Sequence, residues 1–203
     1  MEIAVVRTGC SNLASVVSGL RRLGCAPIIT EDAGVVGSMR LAVLPGVGAF
    51  GPAMLGLRER GLDEALRKRF ERGLPLLAIC LGMQLLCAAS DESPGVSGLG
   101  IVPGVVRRFR GAVRVPQMGW NRIRPSPGAV LLGPAAVYFA NSYRLDCLPE
   151  GWEGATSEHA GEFACAIERG TLLACQFHPE LSGEAGQKLI GRWLMRSREC
   201  GPC

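Results

Sequence analysis

The sequence is short of histidine, lysine and aromatic residues, and each shortage limits what the chain can be. Of its 203 residues, two are histidines and two are lysines, and aromatic residues make up 5%. These aromatics do not alternate with the basic segments Arg67–Arg69 and Arg107–Arg110, as a stacking surface for nucleic acid would require. We therefore expect the basic segments to be solvated faces or a protein interface, and we expect no nucleic-acid partner.

Long apolar runs are also missing, and we expect no leader peptide. The longest apolar stretch, Leu74–Ala89, is interrupted by Pro75, Gly82 and Gln84, and Ile3–Val6 is too short for a signal peptide. Apolar residues make up 48% of the chain and charged residues 20%, which excludes a disordered chain. A cytoplasmic protein without a membrane partner is the expectation.

The nine cysteines are an odd number, and the chain is not a small secreted scaffold, so we expect no disulfide framework. Six of them lie among apolar or small residues, and most of these are expected to fill the core: Cys10, Cys25, Cys87, Cys147, Cys165 and Cys175. Cys200 and Cys203 have the spacing of a redox motif, but no helix follows to lower the pKa of the first thiol. Redox chemistry is therefore not expected there.

Apolar strands alternate with helical segments in the first half of the chain. The expected strands are Glu2–Val6, Ala26–Thr30, Leu41–Leu44 and Leu76–Ile79. Helical spacing of apolar residues extends from the candidate N-cap Ser11 to Gly24, over Ala53–Phe70 with an interruption at Gly61, and over Met83–Ala89. Strands that are apolar throughout indicate a parallel sheet covered by helices on both faces.

The second half has a different character. Short β-rich runs separated by Pro and Gly occupy residues 98 to 176, and a helix is expected over about Gly183–Arg196. The predicted fold is therefore a single α/β domain: a central, mostly parallel sheet flanked by helices, with an additional antiparallel β-rich portion. We assign residues 1–199 to this domain and residues 200–203 to a C-terminal tail.

Cys80 lies where an expected strand gives way to an expected helix. A nucleophile on such a sharp turn needs small neighbours two residues away on each side, and Ala78 and Gly82 meet that need. The turn would place the thiol at a helix N-terminus, where the dipole favours a thiolate, and would direct the Leu81 N–H toward a developing oxyanion. From this local pattern alone, a buried structural cysteine and a nucleophile are equally good interpretations.

The two histidines decide between these interpretations. His159 lies in a polar, glycine-containing stretch that indicates an exposed loop. His178 instead follows the apolar strand Leu172–Phe177, at the kind of strand end where Cys80 is also expected. Glu180, two residues on, is able to orient the imidazole and stabilise its protonated form. Cys80, His178 and Glu180 thus form a candidate nucleophile, base and orienting carboxylate.

Three segments carry a family resemblance: Pro45–Gly48, Ile79–Gln84 and Gln176–Glu180. They resemble the signatures of class I (triad-type) glutamine amidotransferases, in the same order and with similar separations. Four further segments resemble the glutaminase subunits of imidazole glycerol phosphate synthases: Ser11–Leu13, Pro45–Phe50, Gln117–Asn121 and Tyr138–Tyr143. The sequence departs from the family pattern at Ala78, where glycine is usual, at Asn141, where histidine is frequent, and at Leu181, where lysine is common.

The resemblance implies hydrolysis of glutamine to glutamate and ammonia, with no metal and no cofactor. Cys80 would attack the carboxamide, His178 would shuttle the proton, and the oxyanion would be bound by the N–H of Leu81 and that of Val47 or Gly48. The resemblance further implies that the glutamine is held by Gln84, Ser142 and Tyr143.

A partner is expected because free ammonia released into water is mostly protonated and no longer nucleophilic. We expect no synthase domain after the last helix, and the resemblance implies a cyclase subunit of the (βα)8-barrel type in histidine biosynthesis. The expected interface residues are Asn12, Met118, Trp120 and Asn121, although Trp120 fits a core position equally well.

Three alternatives stay open on the sequence. The chain could be the glutaminase of another complex, such as a pyridoxal 5'-phosphate synthase, although the segment Met118–Asn121 argues against this. It could also be a cysteine hydrolase with a similar elbow, or a silent binding subunit. The intact set of Cys80, His178 and Glu180 disfavours silence.

Overall fold

One twelve-stranded sheet organises the computed structural model, which describes residues 1–8 and 13–199. The strands are β1 (Glu2–Val6), β2 (Ala26–Thr30), β3 (Ala42–Gly46), β4 (Leu76–Cys80), β5 (Cys87–Ser90), β6 (Val102–Arg108), β7 (Gln117–Pro125), β8 (Ala135–Asn141), β9 (Tyr143–Leu145), β10 (Glu153–Glu158), β11 (Glu162–Arg169) and β12 (Leu172–Cys175). The helices are α1 (Leu13–Arg22), α2 (Ala33–Ser38), α3 (Phe50–Glu59), α4 (Leu62–Glu71), α5 (Leu81–Leu86) and α6 (Gly183–Glu199), and a 3-10 turn covers Pro179–Leu181.

The sheet is parallel in one half and antiparallel in the other. Its main strand order is β2-β1-β3-β4-β12-β11-β10-β7-β8, and β5, β6 and β9 form a branch attached to β11. The strands from β2 to β12 pair in parallel, whereas β12 to β8 pair antiparallel. This confirms the predicted α/β fold with its added antiparallel portion. It also makes β4 and β12 neighbours at the centre, with their carboxyl ends at the same edge.

Two apolar clusters, one on each face of the sheet, form the core. Alternation along β4 shows how this arises, because Leu76 and Ala78 belong to one cluster while Leu77 and Ile79 belong to the other. A strand buried on both faces must be apolar at every position, which explains the unbroken apolar run before Cys80. Helices α3, α4 and α5 cover one face, and α1 and α6 cover the other.

The exposed edge strand β2 departs from the expectation of a sheet that is covered throughout. β2 pairs only with β1 among the described residues, and Ile28 and Ile29 are about two-fifths exposed. Apolar composition alone does not distinguish an edge strand from a central one. The prediction of full coverage was therefore wrong at this strand.

Most element boundaries agree with the sequence, and the exceptions have local causes. The interruption expected at Gly61 is present, because Gly61 adopts a φ of 65° between α3 and α4. The helix predicted over Met83–Ala89 is shorter, ending at Leu86, and the chain then enters β5. Pairing of β5 with β6 supplies the backbone hydrogen bonds that a longer helix would have made. The proposed N-cap Ser11 lies outside the described residues.

Arg69 corrects the expectation that the basic segment Arg67–Arg69 is a solvated or docking surface. Its side chain is 0% exposed, and its guanidinium donates to the carbonyl oxygens of Val36, Met39, Arg40 and Pro75. Burial, and to a smaller extent the charge of Arg72, lowers the pKa of Arg69 to about 10. This arginine therefore ties the end of α2 to the start of β4, the strand that carries Cys80.

None of the helices in the described part of the chain combines the length and the apolar character that crossing a membrane requires.

Candidate active site

Cys80 is the last residue of β4 and forms a sharp turn into α5, which begins at Leu81. Its backbone has φ 54° and ψ −111°, a conformation that residues with a Cβ rarely adopt, and the side chain is 7% exposed. This is the strand-to-helix elbow that the sequence predicts. The thiol is therefore held at the carboxyl edge of the sheet by strained backbone rather than by side-chain packing alone.

Two glycines allow the elbow to close against the end of β3. A Cβ placed on Gly82 would lie 2.0 Å from the carbonyl oxygen of Leu44, and one placed on Gly46 would lie 2.8 Å from the Cβ of Leu81. Neither contact is sterically tolerable, so both positions need glycine. Ala78, which is fully buried in β4, is the other small residue that the sequence assigns to this turn.

His178 reaches the same edge from the neighbouring strand. β12 pairs in parallel with β4, with Cys175 opposite Ile79, so the residues that follow both strands emerge side by side. The Nδ1 atom of His178 lies 2.8 Å from Oε1 of Glu180, whose side chain is 4% exposed. The structure thus brings Cys80, His178 and Glu180 together although 98 residues separate the first two.

The electrostatic balance at His178 favours the protonated ring. Burial lowers its pKa, but hydrogen bonds to Cys80 and Glu180, together with their negative charges, outweigh burial and raise the pKa to about 10. Because Nδ1 is committed to Glu180, the other ring nitrogen, Nε2, is left for Cys80. The pair is therefore arranged as an imidazolium beside the sulfur.

The segment that carries His178 is clamped to the sheet by Ser182, a residue that the sequence analysis did not single out. Its hydroxyl donates to the carbonyl of His178 at 2.6 Å and accepts from the N–H of Tyr138 at 2.9 Å. The N–H of His178 donates to the carbonyl of Tyr138 at 2.9 Å. The base is thus fixed to β8 as well as to Glu180.

A pocket of about 310 Å³ opens over the sulfur. Its lining contains eight of the nine residues proposed for catalysis, oxyanion binding and glutamine binding, and Glu180 lies behind His178. The lining residues are Val47, Gly48, Cys80, Leu81, Gln84, Glu92, Ala140, Asn141, Ser142, Tyr143 and His178.

The proposed oxyanion donors lie on two sides of this pocket. Val47 and Gly48 follow Gly46, which pairs with Cys80 in the register of β3 and β4. Gly48 has a φ of 101°, a value that glycine adopts readily and other residues do not. Leu81 is the first residue of α5, directly after the sulfur-bearing residue. All three line the pocket that contains Cys80.

Buried amides connect the proposed glutamine-binding residues. The Nε2 of Gln84 donates to the carbonyl oxygen of Tyr143 at 3.4 Å and to Oε1 of Gln176 at 2.9 Å. The Nδ2 of Asn141 donates to the same Tyr143 carbonyl at 2.9 Å, which leaves its Oδ1 buried without a partner. Asn141, one of the departures from the family pattern, is therefore part of the pocket wall.

Glu92 is a pocket residue that the sequence analysis missed. Its Oε2 accepts the N–H of Phe50 at 2.7 Å, which satisfies an orphan donor at the start of α3 and fixes the carboxylate at the pocket rim. The segment around Glu92 contains no motif, so no local signal could have identified it. Gln176 belongs to the motif Gln176–Glu180, which predicts no separate role for it.

The remaining described cysteines do not line the pocket that contains Cys80. Burial raises the pKa of Cys87 to about 12, and it raises those of Cys25, Cys165 and Cys175 as well. These four are buried as predicted, whereas Cys147 is exposed and is not a core residue. Cys10, Cys200 and Cys203 lie outside the described residues.

His159 is not the freely solvated histidine that the sequence indicates. Its ring packs edge-on against Phe109 at 4.9 Å, and its Nε2 lies 2.9 Å from the carbonyl of Arg114. The histidine belongs to the turn between β10 and β11, whose carbonyls Arg144 holds. The ring is thus committed to the antiparallel portion of the fold.

An apolar surface lies beside the pocket, on the outer side of β7 and β8. Met118 is 64% exposed and Trp120 60%, so Trp120 is a surface residue and not part of the core. The Trp120 ring packs edge-on against Tyr138 at 6.2 Å. Asn121 donates through Nδ2 to the carbonyl of Glu158 at 2.8 Å, whereas Asn12 lies outside the described residues.

Comparisons with known proteins identify the family of the chain. The family model "Glutamine amidotransferase class-I" matches residues 5–196. The chain also superposes on a solved structure described as a glutamine amidotransferase with a TM-score of 0.78, at 22% identity and over 96% of this chain and 98% of that one. The chain belongs to the class I glutamine amidotransferase family.

Two curated relatives show which group within the class I family the chain belongs to. A protein of Moorella thermoacetica is 44% identical over 98% of this chain and 97% of its own length, and one of Thermus thermophilus is 43% identical over 92% and 93%. Both are named imidazole glycerol phosphate synthase subunit HisH. Within the class, the chain belongs to the family of these subunits.

Proposed function

We propose that Cys80, His178 and Glu180 carry out the glutaminase reaction of this family. The chain is a glutaminase subunit of imidazole glycerol phosphate synthase, an enzyme of histidine biosynthesis, and it releases ammonia from the glutamine side chain. The observation that supports this assignment most strongly is the convergence of a cysteine, a histidine and a buried carboxylate on one pocket. No cofactor is required for the chemistry, and we expect the reaction in the cytoplasm.

The raised pKa of His178 determines how the reaction begins. His178 accepts the proton of the Cys80 thiol, and its raised pKa favours the protonated ring that results, so the sulfur attacks the carboxamide carbon as a thiolate. Attack forms a tetrahedral oxyanion, for which the N–H groups of Leu81 and of Val47 or Gly48 are the donors. His178 then gives its proton to the leaving ammonia, and a thioester to Cys80 remains.

Hydrolysis of the thioester uses the same groups in reverse. With its proton gone, His178 accepts one from a water molecule, and the resulting hydroxide attacks the acyl carbon. A second oxyanion forms in the same place and collapses to release glutamate and the Cys80 thiolate. Glu180 stabilises the charged ring in both half-reactions and keeps its second nitrogen toward the sulfur.

The pocket wall supports a specific pose for glutamine. Gln84, Ser142 and Tyr143 line the pocket together with His178 and offer polar groups to the bound amino acid. Glu92 supplies a carboxylate at the rim, where it complements an α-ammonium group. Glutamine would therefore enter with its carboxamide toward Cys80 and its charged end toward Glu92.

Ammonia produced here is transferred, in this proposal, to a cyclase subunit of the (βα)8-barrel type within a heterodimer. Met118 and Trp120 lie on β7, whose partner strand β8 ends at the pocket residues Ala140 and Asn141, and both side chains are at least 60% exposed. Large exposed apolar side chains clustered beside a site are typical of a protein interface. Asn121 and Asn12 stay in the proposed interface, although the amide of Asn121 also secures the β10–β11 turn.

Comparison of glutamine-dependent with ammonium-dependent synthesis tests the proposal. Cys80→Ala should abolish glutamine-dependent synthesis in the complex with the cyclase while synthesis from ammonium salts continues. Cys147→Ala, which removes an exposed thiol, is the matched control and should leave both activities intact. Loss of both activities in Cys80→Ala would assign Cys80 a structural role. A glutamine-like electrophile that fails to label Cys80 in the complex would exclude the glutaminase assignment altogether.

A further inference from the structure

A buried amide outside the pocket lining touches the sulfur of Cys80. Gln176 is 0% exposed and its Nε2 lies 3.7 Å from Sγ of Cys80, within the range of an N–H···S hydrogen bond. The position follows from the sheet, because Gln176 is the residue after the Cys175–Ile79 pair and therefore stands opposite Cys80. The reaction steps described above do not use this contact.

The neighbouring amide sets the direction of this hydrogen bond. Gln84 donates through Nε2 to Oε1 of Gln176 at 2.9 Å, so the other end of the Gln176 amide, its donor, faces the sulfur. Gln84 cannot easily reverse, because its Nε2 also donates to the carbonyl of Tyr143. Reversal would place an amide oxygen against that carbonyl and against Oε1 of Gln176. The Gln84–Gln176–Cys80 chain therefore has one favourable orientation, which ends with a donor on the sulfur.

Gln176 is not part of the pocket lining, in contrast to Gln84. Its polar atoms are used within the protein, so a bound glutamine meets Gln84 and Tyr143 but not Gln176. A donor that acts on the nucleophile without touching substrate has a positioning role. A thiolate accepts hydrogen bonds more strongly than a thiol, so a fixed donor favours the charged sulfur.

We propose that Gln176 is a positioning residue for Cys80. Its amide, oriented by Gln84, stabilises the thiolate and holds the sulfur between His178 and the substrate carbonyl. Because Gln84 also lines the glutamine pocket, a change in its contacts on substrate binding is transmitted to the sulfur through a single intervening side chain. The inference rests on the proposed role of Cys80 as the nucleophile.

Alkylation of Cys80 by iodoacetamide, followed as a function of pH, measures this effect without glutamine. Gln176→Met keeps the length of the side chain and removes the donor, and we expect it to move the pH midpoint of Cys80 alkylation upward by about one unit. The other titratable groups at the site, His178, Glu92 and Glu180, are unchanged in this variant. In the complex, kcat for glutamine hydrolysis should fall by about fivefold or more while KM stays within about twofold, because the substrate contacts are intact.

Gln117→Met is the matched control. Gln117 is an equally buried amide, at 5% exposure, and it does not line the pocket or contact Cys80. This variant should leave the alkylation midpoint unchanged, so that a shift in Gln176→Met is specific to the contact with sulfur. If Gln176→Met does not fold, Gln84→Met serves in its place, because loss of the Gln84 donor leaves the Gln176 amide free to turn its oxygen toward the sulfur and should also raise the midpoint.

Two outcomes would overturn the inference. A folded Gln176→Met protein with the parental midpoint shows that the amide has no influence on the sulfur. An equal shift in Gln117→Met shows a general packing effect. If the proposed glutaminase function is itself wrong, the result is different. Cys80 of the parent protein would then not react with a glutamine-like electrophile in the complex, regardless of how its alkylation by iodoacetamide depends on pH.

Discussion

The backbone of Cys80 should store strain that can be measured as stability. Its φ of 54° with ψ of −111° is disfavoured for any residue with a Cβ and is open to glycine. Backbone held in such a region costs about 1–3 kcal/mol. Replacing Cys80 by Ala keeps this cost, whereas replacing it by Gly removes it. The difference between the two variants therefore contains the strain and two other effects of deleting a Cβ: the greater freedom of glycine in the unfolded chain and the loss of a buried methyl group.

Those two effects can be calibrated at Cys87. This cysteine is also buried but has an ordinary φ of −71°. There, the Gly variant should be less stable than the Ala variant by about 1.5 kcal/mol, because glycine is freer in the unfolded chain and a buried methyl group is lost. At Cys80 the same penalty applies, and relief of about 2 kcal/mol of strain should cancel it. The Gly variant at Cys80 should therefore be as stable as the Ala variant or slightly more stable.

Urea unfolding of the four variants, followed by circular dichroism, gives the two Gly-minus-Ala differences. We expect them to differ by about 2 kcal/mol between the sites, which corresponds to about 4–8 °C in Tm for a chain of this length. The same cost of glycine at Cys80 and at Cys87 would refute the strain argument. The elbow would then be held open at no cost to the fold.

Two further variants test the electrostatics of the site and the buried arginine. In Glu180→Gln, the free energy of unfolding should fall most relative to the parent near pH 6.5, and this difference should shrink as the pH rises through about 10. The reason is that His178 has a raised folded-state pKa and loses its stabilising charge over that range. A difference that does not vary with pH in urea titrations would contradict the assignment. Arg69→Met should lower Tm by about 10 °C, since four carbonyl groups lose their buried donor. Lys68 is an exposed residue on the same helix, and Lys68→Met should change Tm by less than about 2 °C. Equal effects of the two variants in thermal melts would show that the Arg69 hydrogen bonds contribute nothing.

The sequence was sufficient to predict the elbow because its determinants are local. The small residues Ala78 and Gly82 flank Cys80 within two positions, and an apolar strand precedes it. His178 could be predicted for a different reason, since only two histidines were available and only one followed an apolar strand. The placement of catalytic groups thus followed from short patterns combined with the rule that parallel strands end at one edge.

Other parts of the site depend on contacts that no short pattern encodes. Glu92 reaches the pocket because it binds the N–H of Phe50, 42 residues earlier in the chain. Gln84 and Gln176 meet across 92 residues through the pairing of β4 with β12. Such contacts depend on strand order and register, which the apolar pattern alone does not determine. For the same reason the exposed edge at β2 and the short strand β5 were not predicted.

The position of β12 between β4 and β11 has a consequence for folding. β12 is late in the chain, yet it lies at the centre of the sheet between β4 and β11. The edge of β4 that faces β12 is therefore unpaired until residues 172–175 are in place. A nascent chain that has emerged only as far as β11 would expose the edge of the apolar strand β4. The non-local pairing should make its closure slow and prone to intermolecular strand association. The nucleophile and its base would thus come together in one of the last steps of folding, so a truncated chain would carry Cys80 without the partner that activates it.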